Sequence, residues 1–100
     1  PGRALRRPKA RSVLVFLVAR EDTAKSVREA CKISVQYSYE LLRGLRQLGF
    51  VERLEEEGTT PAYKTSELGV QALVRKGLIS RPVEVGGVKV AVVAEGVLHG

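Results

Sequence analysis

Ala10, Val13, Leu14 and Leu17 recur at the i, i+3, i+4, i+7 spacing of a buried helix face. Val15, Phe16, Val18 and Ala19 make the opposite side apolar too, so this first helix must be covered on more than one face, by the domain or by a second subunit. Arg20-Glu21-Asp22 breaks the apolar pattern. A short second helix is expected from Thr23 or Ser26 to near Lys32, and Ser26-Val27-Arg28-Glu29 fits a capping box. Ser34 is the candidate N-cap of a third helix that runs to Leu48 and is stopped by Gly49. At 100° per residue, Ser38, Leu41, Leu42, Leu45 and Leu48 share one side of that helix. Gln36, Tyr39, Glu40, Arg43 and Gln47 share the other, with Arg46 beside them.

Two strands follow, over residues 50–54 and 62–65, joined by the acidic, turn-rich stretch 55–61. Thr65 or Ser66 caps a fourth helix with Glu67 in its first turn, Arg75 and Lys76 in its last, and Gly77 as its stop. Gly86-Gly87, between Val83-Glu84-Val85 and Val88-Lys89-Val90, signals a hairpin that sets Glu84 opposite Lys89. The fold class is therefore α+β.

One hundred residues leave room for one core rather than two. The longest apolar run is the seven residues 13–19, whereas a membrane span needs about 20, so no span is expected. The start of the chain is basic but lacks the apolar stretch of a signal peptide. A lone cysteine, Cys31, builds neither a disulfide framework nor a zinc site, and a cytoplasmic location is expected.

The net charge of +6 favours an anionic partner, and its distribution is uneven. Arg3, Arg6, Arg7, Lys9 and Arg11 stand in residues 1–11 with no acid, whereas residues 49–65 carry Glu52, Glu55, Glu56 and Glu57 against Arg53 and Lys64. The excess reads as a basic N-terminal arm over 1–11, either tracking phosphate or serving as a solubilising tail.

The order helix, short helix, turn, longer helix, hairpin, helix resembles the winged helix-turn-helix transcription regulators of the MarR/ArsR-like kind, over roughly residues 12–77. The resemblance is carried by Ser26-Val27-Arg28-Glu29-Ala30, Ile33-Ser34 with Leu42-x-x-Leu45, Leu48-Gly49-Phe50-Val51-Glu52-Arg53, and Tyr63-Lys64-Thr65-Ser66-Glu67-Leu68-Gly69. It implies a three-helix core, a β-hairpin wing and a further helix over 12–78. The remaining 79–100 form a C-terminal hairpin and tail suited to dimerisation.

It also implies a homodimeric, sequence-specific regulator of double-stranded DNA with its third helix in the major groove. Gln36 can bond adenine bidentately and Arg43 guanine, Glu40 can accept from cytosine, and Tyr39 and Arg46 can reach backbone or a thymine methyl. Ser34 and Tyr37 at the start of that helix complete the expected contact set. Two homodimer elements are expected, the first helix and the valine-rich C-terminal segment.

Three positions depart from the family. Lys32 stands where a glycine is common, so another backbone conformation is expected in the turn. Ser38 stands where Val or Ile is common and needs a hydrogen-bond partner if buried. The acidic wing tip would be repelled by phosphate. Either the wing points away from DNA, or only Arg53 and Lys64 at its base approach it.

Little here supports catalysis. His99 is the only histidine, and Glu55–Glu57 are consecutive acids in a turn with no partner to make an acid/base pair. Cys31 reads as an inert core thiol. No enzyme activity, cofactor, metal or small-molecule effector is expected. The second functional reading is a winged-helix protein-interaction module without specific DNA binding.

Overall fold

The structure is a computed structural model and describes residues 4–97. After a single 3-10 turn over Ala4–Arg6, helix α1 spans Pro8–Phe16. Pro8 suits the first turn, because its missing N–H would have no partner there. Strand β1 is the two-residue Asp22–Thr23, followed by α2 (Ala24–Cys31) and α3 (Val35–Gln47). Strands β2 (Val51–Leu54) and β3 (Ala62–Thr65) form a hairpin, α4 spans Glu67–Arg75, and β4 (Val83–Val85) pairs with β5 (Val88–Val90).

Hydroxyl caps start three helices. Thr23, Ser34 and Ser66 each accept from the backbone N–H three residues on, at Ser26, Tyr37 and Gly69 respectively. The capping-box expectation at Ser26 is therefore corrected. Ser26 lies inside α2, and Thr23 is the cap, with its hydroxyl 3.3 Å from that of Ser26.

The same three helices end alike. Ile33 N–H bonds Arg28 O, Phe50 N–H bonds Leu45 O, and Leu78 N–H bonds Leu73 O, the six-to-one closure of a Schellman motif. The motif requires a left-handed residue just before the donor. Gly49 and Gly77 supply it twice, and Lys32 supplies it at φ 55° for α2. The turn between α2 and α3 thus keeps the left-handed conformation that glycine would give, contrary to expectation. The apolar residues that follow, Ile33, Phe50 and Leu78, pack on the core.

The sheet has the order β1-β3-β2, all antiparallel, with Asp22 opposite Tyr63 and Arg53 also opposite Tyr63 across the other edge. Thr65, at the end of β3, ties this sheet to α1. Its N–H donates to Leu17 O at 3.1 Å and its hydroxyl to Leu14 O at 2.7 Å, satisfying carbonyls at a helix C-terminus that have no partner within the helix.

Val13, Leu14, Leu17, Val27, Leu42 and Leu73 are fully buried at the centre, where α1, α2, α3 and α4 meet. Ser38 is buried with them, and its hydroxyl donates to Val35 O at 2.6 Å, the partner its burial demanded. Gly69 brings α4 against the start of β2: a Cβ there would collide with Phe50 O and lie 2.7 Å from Thr65 Cγ2.

The C-terminal hairpin has the expected register, with Glu84 opposite Lys89. Its stem is longer than β4 and β5. Ser80 N–H bonds Val92 O, Ala94 N–H bonds Leu78 O, and Ile79 pairs with Val93. Ile79 and Val97 are buried, so the stem docks while the tip stands in solvent.

Two further expectations change. Helix α1 stops at Phe16, capped by Leu17, so Val18 and Ala19 lie in the following turn; Val15, Phe16 and Val18 are half-buried by this same chain. Residues 1–11 are not a detached arm over their described part. Leu5 is buried in the core, and α1 begins at Pro8, so Lys9 and Arg11 of the expected arm belong to the helix whose buried face starts at Ala10. No helix among the described residues is long and apolar enough to cross a membrane.

Candidate nucleic-acid interface

Helix α3 is fixed by its buried side. Ser38, Leu41, Leu42 and Leu45 face the core, which turns Gln36, Tyr39, Glu40, Arg43, Arg46 and Gln47 outward, all exposed. Leu48 departs from the predicted buried set: it caps the helix and is 40% exposed, because the chain turns at Gly49 before a further helical turn could cover it. Tyr37 is half-buried and packs on the core instead of facing outward. Ser34 is exposed, but its Oγ is engaged as the helix cap at 3.1 Å from Tyr37 N. The Gln36 amide approaches Glu40 Oε1 at 3.5 Å, one turn along the same face.

A cleft borders this face on each side. Towards β2, Arg43, Arg46 and Gln47 of α3 join Val51, Glu52 and Arg53 around a cleft of about 540 Å³. Towards the N-terminus, Arg7 and Ala10 join Glu40, Leu41, Gly44, Leu45 and Leu48 around a smaller one of about 220 Å³. The polar face of α3 therefore lies between a guanidinium on the α1 side and a guanidinium on the β2 side. Arg43 and Arg46 make no ion pair among the described residues, whereas Arg53 pairs with Glu55 at 2.7 Å.

The remaining predicted contacts divide. Arg6 and Arg7 are exposed beside α1, and Arg3 lies outside the described residues. Lys9 is drawn inward: its Nζ donates to Cys31 O at 3.2 Å, a cation placed on the carbonyl end of α2. Arg11 is half-buried, and its Nε is buried without a hydrogen-bond partner.

Lys64 does not join Arg53. It pairs with Glu52 at 3.5 Å and lines a different cleft, towards α4. Residues directly opposite in an antiparallel pair share a face and successive ones alternate, and Lys64 stands opposite Glu52 while Arg53 stands opposite Tyr63. That alternation separates the two cations expected together at the hairpin base.

Val35, in the first turn of α3, is 52% exposed beside Gln36 and was absent from the expected contact set. The signal for it is its place between two polar candidates, Ser34 and Gln36. Cys31 is buried, and that burial pushes its thiol above its ordinary value, only partly opposed by Lys9. A raised value keeps the sulfur protonated and unreactive at neutral pH. No protein-family model and no curated protein sequence matches this chain.

Proposed function

We propose that this chain is a winged helix-turn-helix transcription regulator that binds double-stranded DNA with α3 in the major groove. The observation that carries the reading is the exposed polar face of α3 held between two clefts that each present a guanidinium. An α-helix fills the major groove, and the phosphates of the two groove walls then fall on either side of it. Arg7 on one flank and Arg46 and Arg53 on the other suit those phosphates, while Gln36 and Arg43 are long enough to reach base edges. The β2–β3 hairpin serves as the wing. Its acids, Glu55 to Glu57, keep its tip off the backbone, and Arg53 at its base approaches a phosphate only by exchanging its pair with Glu55 for it.

The regulator is proposed to act as a homodimer on a palindromic site, with its two α3 helices about 34 Å apart. The C-terminal hairpin supports this part of the reading. Val83, Val85, Val88 and Val90 share one face, each between 46% and 62% exposed, and that face carries no charge. An identical uncharged face on a second copy is its chemical match across a two-fold axis.

A gel-shift series with arginine variants at several salt concentrations tests the DNA reading. Arg46→Ala and Arg53→Ala are expected to weaken binding to all duplexes alike, each lowering the log–log salt slope by roughly 0.9. Gln36→Ala and Arg43→Ala are expected to cost about 1–3 kcal/mol on the selected site and to relax preference at one base pair each. If all four leave affinity and preference unchanged, α3 is not a DNA reader and the protein-docking alternative takes its place.

A further inference from the structure

A third cleft, of about 650 Å³, lies between the β2–β3 sheet, α4 and the C-terminal hairpin. Its volume is that of a small-molecule site. It shares only Glu52 with the arginine cleft beside α3 and includes no residue of α3. Three of its lining residues, Val18, Val70 and Val74, form a small apolar base, half-buried and packed on the core beside the polar Thr65 and Gln71.

Its rim is cationic. Arg75 ends α4, Arg81 leads into β4 and Lys89 comes from β5, so three separate elements bring positive charge to one opening. None of the three makes an ion pair among the described residues. Lys64 also lines the cleft but is occupied by Glu52, and Glu67 is the one acid of the lining without a cationic partner among the described residues. Four cations of the lining face two acids, Glu52 and Glu67, with Glu84 opposite Lys89 on the hairpin, and an anion offsets the positive surplus that remains.

We propose that this cleft binds a small amphipathic anion, with an apolar body on the three valines and a carboxylate or phosphate group between Arg75, Arg81 and Lys89. A bare inorganic anion would leave the valine base in water, and a neutral apolar molecule would leave the cations unmatched. The site goes beyond the DNA reading and stands whether or not α3 binds DNA.

Amide-detected NMR titration of the full chain with octanoate tests it, with octan-1-ol and inorganic phosphate as parallel probes. Octanoate is expected to shift the amides of Val70, Val74 and Arg75 saturably, and more tightly than either control. The double variant Arg75→Glu/Arg81→Glu changes two exposed residues, leaves the core untouched and is expected to weaken octanoate at least tenfold. Octan-1-ol binding as well as octanoate would overturn the proposal. So would shifts confined to the exposed valines of residues 83–90, an unchanged affinity in the double variant, or no saturable shift at all.

Discussion

Lys32 pays a conformational cost that glycine would not, because its Cβ crowds the backbone at φ 55°. Its side chain is exposed and makes no hydrogen bond or ion pair among the described residues, so nothing visible offsets that crowding. Lys32→Gly is expected to raise stability by up to about 1 kcal/mol, read as a higher midpoint in urea with an unchanged slope. Gly69 is the opposite case. Its absent side chain is what lets α4 reach Phe50 O, and any Cβ must displace backbone. Gly69→Ala is expected to destabilise by about 1–3 kcal/mol in the same titration, although alanine is the better helix former. Both expectations turn on one or two atoms that sequence periodicity does not register. The glycine of the Tyr63-to-Gly69 motif was visible as a letter, but its reason was not.

At the scale of elements, α3 and α4 were legible from an apolar helical period with a cap at one end and a glycine at the other, and the β2–β3 pair and the Gly86-Gly87 hairpin from short β-type runs flanking turn residues. Strand β1 was not, because two residues, Asp22 and Thr23, carry no period; only their pairing with Tyr63 and Ala62 makes them a strand. The start of α1 was obscured by charge. Five cations read as a basic arm, and Pro8 at the first turn and the burial of Leu5 show that such a segment can still contribute to a core. For the candidate site, the outward face of α3 followed from its leucines. The split between Arg53 and Lys64 depended on strand register, which the two strand lengths alone left open.

Thr65 is the joint between the α1 end and the sheet, and its hydroxyl reaches a carbonyl that is otherwise without a partner. Thr65→Val keeps the volume and removes that donor. It is expected to cost about 1–3 kcal/mol and to speed hydrogen exchange at the C-terminal turn of α1 more than in α3. Equal acceleration throughout the chain would mean that the bond is a global rather than a local tie.

For the whole molecule, the exposed valine face sets the expected assembly. A two-stranded tip with four valines in water is marginal by itself, and closing it against a copy removes that surface from solvent. Sedimentation is expected to show a concentration-dependent dimer, and Val85→Lys with Val88→Glu is expected to shift it to monomer while the stem stays docked. A monomer at every concentration would remove the two-fold arrangement and leave each α3 to act alone.

The hydroxyl of Ser12 meets the carbonyl of Val97 across 85 positions of the chain. Closing a loop that long costs about 2 kcal/mol more entropy than closing one of roughly ten residues. Contacts of that span form only after the shorter ones have drawn the chain together. The docking of the C-terminal segment on α1 is therefore expected to follow the packing of the helices. A folding experiment would meet this as a late phase at the segment that carries the valine face.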